Sequence, residues 1–98
     1  MADRYSRKDA ERAFDRLAYA LGKQHTRWEQ VDGRNVVNVG SWHLDCAPIY
    51  GGYVVNEICN EGGGITQPFG MLRHPAREFC ALVNFALAAI ELAKVDAQ

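Results

Sequence analysis

The stretch that decides the fold is Pro75 to Lys94, PAREFCALVNFALAAIELAK. Between Phe79 and Ile90 only Asn84 is polar, so a helix formed here is apolar nearly all the way round and must be covered on several sides. The apolar run is closed by Glu91 and is shorter than the about 20 residues that cross a bilayer. The stretch therefore predicts the core helix of a small soluble domain.

Length and composition predict one ordinary globular domain. The chain has 98 residues, of which 48% are hydrophobic and 23% charged, and these values fit a single α+β domain over 1–98 with short tails at 1–5 and 95–98. Eleven basic and twelve acidic residues give a net charge of −1. The chain as a whole is therefore no polycation, and any nucleic-acid binding requires a local patch.

The cysteines and the N-terminus indicate a reducing compartment. Cys46, Cys59 and Cys80 are odd in number and form no C-x-x-C pair, and the first residues lack the apolar core of a signal peptide. We expect a cytoplasmic protein with reduced, mostly buried thiols and no metal.

The first element is an amphipathic helix, predicted over Arg7 to Leu21. Ser6 is a good N-cap with Asp9 three residues on, and Gly22 supplies the stop. Apolar residues recur at helical spacing at Ala10, Ala13, Phe14, Leu17, Ala18 and Leu21. A basic row of Lys8, Arg12 and Arg16 runs beside acidic residues, as on an ordinary solvated face.

The middle of the chain predicts strands. The turn dipeptide Asp32-Gly33 favours a hairpin within 23–40, while the register over 23–45 stays open. Trp42 to Cys46 alternates with the period of a strand that Pro48 ends, and Tyr53 to Cys59 is rich in strand formers.

The last strand follows a glycine turn at Asn60 to Gly64. It is predicted over Ile65 to Phe69, and Pro68 either shortens it or confines it to an edge. The resulting order is α-β-β-β-α, with a three-stranded antiparallel meander packed on the apolar C-terminal helix and the first helix beside it.

No cluster of residues predicts catalysis or a cofactor. Ser41, His43 and Asp45 share one strand face, but the exposed side of a strand explains them and no nucleophile elbow is present. Gly62 to Gly64 lack the Lys and Ser or Thr of a phosphate loop. His43, Cys46 and Cys59 lack the paired spacing of a zinc site. We therefore expect a protein that is not an enzyme.

Arg73, His74 and Arg77 stand at the start of the last helix and are the candidate contacts for phosphate or nucleic acid. Free N–H groups at a helix start attract anions, and guanidinium groups bind phosphate well. The alternative is that Arg73 and Arg77 pair with Glu57, Glu61 or Asp45 and fix the helix onto the sheet. Both interpretations stay open on the sequence.

The last helix also predicts an interface. One stripe, formed by Phe79, Leu82, Val83, Ala86, Ile90 and Ala93, is assigned to the sheet and the first helix. Cys80 and Leu87 then lie on another side, which the rest of this small domain does not reach. A twofold dimer that buries them is the expected assembly.

A longer pattern resembles short bacteriophage and prophage proteins of unassigned function. It consists of LDCAPIYGGY at Leu44 to Tyr53, NEGGG at Asn60 to Gly64, PFG at Pro68 to Gly70, Arg73, and Ala76-Arg77-Glu78. The resemblance covers the C-terminal half of the chain. It implies a phage-encoded protein in the host cytoplasm and brings no catalytic residues.

The order of elements is also similar to that of double-stranded-RNA-binding domains, whose last helix begins with basic residues. This chain departs from them, because their Lys-Lys-x-Ala-Lys pattern is replaced by Arg73-His74-Pro75-Ala76-Arg77 and the net charge is not basic. The expectation is a binding protein without enzymatic activity that associates with itself or with a host or phage protein. The alternative is a nucleic-acid-binding module that uses Arg73, Arg77 and the basic row; no membrane association is expected.

Overall fold

The computed structural model of the chain describes residues 5–23 and 28–96. Its first element, α1, is the helix Arg7–Ala20. The backbone N–H of Asp9 donates to Ser6 Oγ at 3.4 Å, and the Ser6 N–H donates to the Asp9 carboxylate at 2.7 Å. This reciprocal pair is the predicted capping box, and the bond from the Ser6 N–H is the main reason why the pKa of Asp9 lies below its ordinary value.

The C-terminal end of α1 lies one residue earlier than predicted. Gly22 there has a φ of 68°, and the Lys23 N–H donates to the Ala18 carbonyl, which ends the helix.

A β-hairpin follows, made of β1 (Trp28–Val31) and β2 (Arg34–Val37). Val31 pairs with Arg34, so Asp32 and Gly33 alone form the turn. Their φ angles are 52° and 77°, as in the turn that matches the twist of a two-residue hairpin. The predicted hairpin is thus confirmed and its register is fixed. Within the described strands β1 and β2 pair only with each other, so they form a separate sheet.

The central sheet has three antiparallel strands in the order β3-β4-β5. These are β3 (Trp42–Ala47), β4 (Gly52–Ile58) and β5 (Ile65–Thr66), and a short 3₁₀ turn at Pro48–Tyr50 joins the first two. The register pairs Leu44 with Val55 and Glu57 with Thr66. The predicted meander and the α+β class are confirmed.

The long helix α2 (Ala76–Asp96) packs beside α1 on the face of the sheet that carries Trp42 and Val55. Across the helix pair the Arg16 guanidinium donates to the Asn84 side-chain oxygen at 3.2 Å. The buried core consists of Ala10, Ala13, Phe14, Leu17, Ala18, Trp42, Tyr53, Val55, Phe79, Cys80 and Val83. The helix continues to Asp96, and the remaining residues of both predicted tails lie outside the described ranges, apart from Tyr5.

The rotation of α2 about its axis differs from the prediction. Cys80 is only 6% exposed, and Leu87 is half-buried against the core. Leu82 and Ala93, assigned to the core from the sequence, are exposed instead. The reason is that α1 lies alongside α2 and covers a flank that the sheet does not reach. The expectation that the rest of the domain leaves this side uncovered was therefore wrong for Cys80, whereas Leu87 is only partly covered.

Two further expectations need correction. Ser41 and His43 are buried, so the strand face that carries them is not the exposed face we predicted. Among the thiols, Cys80 is buried and Cys46 half-buried, but Cys59 is exposed. Phe69 is 55% exposed, and its ring packs edge-on against Trp42, with the ring centres 5.3 Å apart.

Candidate binding surface

A long exposed apolar surface runs along α2. Its members project to one side of the helix at 100° per residue, and we call them the outer face of α2: Ala81, Leu82, Phe85, Ala88, Ala89, Leu92 and Val95. Phe85 is 77% exposed, and Leu92 and Val95 are each 66% exposed. Contiguous exposed apolar patches are interaction sites more often than isolated surface apolar residues are, so the outer face is a candidate binding surface.

The spacing within the outer face is that of a helix-pairing seam. Leu82, Phe85, Ala89 and Leu92 are separated by three, four and three residues, which matches the a and d positions of a heptad. Another helix with the same spacing can insert its side chains between them. The outer face is therefore shaped for a helix rather than for a flat surface.

Next to the outer face lies an apolar pocket of about 320 Å³. The pocket is bounded by β4, by α2 and by the chain between β5 and α2. Its lining residues are Leu17, Tyr53, Val54, Val55, Phe69, Gly70, Leu72, His74, Phe79, Leu82, Val83 and Ala86. Leu82 belongs to both the pocket and the outer face, so the two apolar surfaces are continuous. The volume is at the small end of the range of ligand pockets, about 300–1,000 Å³.

The pocket exists because the third strand stops early. β5 pairs with β4 at Glu57 and Ile58 only, and continuing that register by two residues would place Pro68 opposite Val55. Proline has no N–H to donate to the strand beside it. The chain leaves the sheet there and turns, with the Gly70 N–H donating to the Gln67 carbonyl at 3.1 Å. The predicted effect of Pro68 on this strand is confirmed.

The chain returns to the same edge at His74. Tyr53 and His74 exchange two backbone hydrogen bonds, of 2.8 and 3.0 Å. Between the Glu57–Thr66 pair and the Tyr53–His74 pair, the residues 67–73 loop outward opposite residues 54–56. We call this interruption of the ladder the edge gap.

Two contacts fix the far side of the edge gap. The Arg73 guanidinium donates to an Asp45 carboxylate oxygen at 2.7 Å and to the Gly52 carbonyl at 3.1 Å. Gly52 itself has a φ of 118°, and a Cβ atom on it would overlap the His74 carbonyl group. A glycine is required at this position because the strand and the start of α2 approach so closely.

The basic residues at the start of α2 are mostly used within the fold. Arg73 pairs with Asp45 as described, and His74 Nδ1 lies 2.6 Å from a Glu78 carboxylate oxygen. Arg77 is exposed. Of the two interpretations left open by the sequence, the structure thus favours the structural one for Arg73, and the three side chains do not form a shared cluster of available cations.

The titratable groups of the pocket are Tyr53 and His74. Burial, followed by a hydrogen bond with Cys46, raises the pKa of Tyr53 to about 12, so its phenol stays neutral at ordinary pH. No group of three His, Cys, Asp or Glu side chains within 5–23 and 28–96 is placed to hold a metal ion. In the same part of the chain, no helix is long and apolar enough to cross a membrane.

No family model, curated protein or solved structure matches the chain. The outer face and the pocket are therefore the features of the molecule from which a function can be inferred. Sequence reasoning missed Phe85 and Val55 as site residues. The heptad spacing through Phe85 and the position of Pro68 relative to Val55 are the signals that point to them.

Proposed function

We propose that the protein acts by binding another protein chain, without catalysis, and that the partner held by the outer face of α2 is a second copy of itself. The observation that carries this proposal is the unpartnered apolar stripe with seam spacing on a 21-residue helix. A second copy presents the same spacing, so the pairing is self-complementary and closes as a twofold dimer.

The amount of exposed apolar surface is adequate for such a dimer. A stripe of this size presents on the order of 500–600 Å² per chain, at the upper end of the patches that monomers carry. Two copies would bury on the order of 1,000–1,200 Å² together, which is near the lower bound for a specific interface. The dimer is therefore expected to be reversible and sensitive to single charges in the stripe.

The shape of the chain supports the same proposal. Its Cα radius of gyration is 15.1 Å, whereas a compact domain of 100 residues has about 13 Å. A chain that is more spread out than usual leaves more of its apolar surface uncovered. From the resemblance of the C-terminal half to phage and prophage proteins, we also propose a phage-encoded origin, with phage or host proteins as the wider class of partners.

The test is the mass of the protein in solution, measured by sedimentation or light scattering at concentrations up to about 1 mM, at which a dimer with a dissociation constant of about 1 mM or less is substantially populated. We expect a dimer for the parent protein and a folded monomer for Phe85→Glu, because the charge would be buried without a partner. Tyr50→Glu is the matched control, since Tyr50 is an aromatic residue outside the stripe with nearly the same exposure, 76% against 77% for Phe85. It should stay dimeric.

Two outcomes would refute the proposal. One is a parent protein that remains monomeric at the highest concentration. The other is a Phe85→Glu variant that dimerises as well as the parent. If Tyr50→Glu alone disrupts the dimer, the protein associates through a different surface.

A further inference from the structure

The edge gap leaves one residue of β4 with open backbone groups that face the pocket. Tyr53 bonds to His74 and Cys59 bonds to Gly64, whereas Ile58 bonds to Ser41 on the β3 side. Backbone groups alternate along a strand, so the N–H and C=O of Val55 point to the same edge as those of Tyr53. Within the described residues, no backbone group outside the paired strands bonds to either of them.

Val55 is nevertheless buried, with 3% of its surface exposed. Buried backbone N–H and C=O groups are nearly always paired, because leaving them unpaired costs free energy. In this fold the usual partner is excluded by Pro68, for the reason given above. The backbone N–H and C=O of Val55 are thus left without a strand partner because of Pro68, and they lie at the wall of an apolar pocket.

The geometry of a β ladder defines what fits there. A residue that exchanges both hydrogen bonds with Val55 must itself offer an N–H and a C=O on one side, as an extended peptide residue does. Its side chain would lie on the same face of the sheet as that of Val55, which is the face covered by α2. That side chain would enter the pocket between Phe79, Leu82 and Val83.

We infer that the edge gap and its pocket form a binding site for one apolar residue of an extended peptide segment of a partner protein. The segment adds a short stretch of strand to β4 between the two existing pairs, a mode in which the main chain supplies affinity and the pocket selects the side chain. From Tyr53 to Glu57 the gap measures about 13 Å, so at most three peptide residues fit. This site is separate from the proposed dimer contact, although Leu82 borders both.

The experiment is an NMR titration of the ¹⁵N-labelled protein with N-acetyl-L-leucine N′-methylamide, a single capped apolar residue. We expect the largest shift change at the Val55 amide, with further changes at Phe69 to Leu72 and at Phe79 to Val83. The second probe is the same compound methylated on the leucine nitrogen. It cannot donate to the Val55 carbonyl and should bind about 2- to 10-fold more weakly.

Two variants separate this site from the dimer. Ala86→Leu places a larger side chain in the pocket and should abolish binding of the probe. Phe85→Glu, on the outer face, should leave binding unchanged whether or not it alters the mass of the protein. The proposal would be overturned if the Val55 amide does not shift, or if the two probes bind equally. If Ala86→Leu does not fold, the comparison of the two probes on the parent protein decides.

Discussion

Replacing Gly52 by Ala tests the close approach on which the edge gap depends. Gly52 has a φ of 118°, which an L residue adopts only with strain of about 1–3 kcal/mol. A Cβ atom would also overlap the His74 carbonyl, which accepts a hydrogen bond from Tyr53. Pushing that carbonyl away weakens two backbone bonds, each worth about 0.5–1.5 kcal/mol. We therefore expect Gly52→Ala to lower the free energy of unfolding by about 2–6 kcal/mol.

Gly63→Ala is the matched control for Gly52→Ala. Gly63 has a φ of 84°, but a Cβ atom there would meet nothing within 4 Å. Both variants therefore introduce the strain of a positive φ and change the entropy of the unfolded chain, but only Gly52→Ala also introduces a steric overlap. The difference between the two variants, about 2 kcal/mol, isolates the close approach.

Urea unfolding followed by circular dichroism measures both variants. With a slope of about 1–2 kcal/mol per molar urea for a small domain, the midpoint of Gly52→Ala should fall about 1–2 M below that of Gly63→Ala. Equal midpoints would show that α2 does not press against the strand at this position. The Tyr53–His74 pair would then not define the end of the edge gap.

Three other variants or measurements address the core and the surface. The folded state keeps the phenol of Tyr53 neutral, so the free energy of unfolding should keep its full value below about pH 10, the ordinary pKa of tyrosine, and should fall as the pH rises to about 12. Tyr53→Phe should not show this fall when unfolding is measured as a function of pH. Native thiol titration should show Cys59 reacting at once and Cys80 only on unfolding, and three equally fast thiols would contradict the described burial. Arg73→Lys should lower the free energy of unfolding in urea by about 1 kcal/mol, because the guanidinium reaches Asp45 with Nη2 and the Gly52 carbonyl with Nη1, and a single ammonium nitrogen cannot take both positions. Arg77→Lys should be neutral, and equal losses would remove the structural role of Arg73.

Local sequence signals predicted the local structure well. The capping box at Ser6, the turn at Asp32-Gly33 and the shortening of the last strand by Pro68 each depend on residues close together in the chain. Such features follow from the local backbone preferences of a few neighbouring residues and do not depend on long-range contacts. The glycine turn before β5 is similar, since Gly63 has the positive φ expected there and Asn60 accepts a bond from the Gly64 N–H.

The orientation of α2 could not be derived in the same way. A helix that is apolar nearly all round does not show in its own sequence which side is covered, because every side is suitable for burial. The answer depends on where α1 lies, which is a long-range contact. For this reason the stripe was assigned wrongly at Leu82 and Cys80, and Phe85 was missed.

The β1–β2 hairpin is a separate unit, so we expect its turn to accept added residues with little effect on the stability of the rest of the fold. Its strands share no ladder with the central sheet, and a two-stranded hairpin by itself is only marginally stable. Changes at the turn of Asp32 and Gly33 therefore act on a weak local unit rather than on the core. We expect a peptide epitope or a fluorescent label grafted into this turn to leave α2 and the edge gap intact.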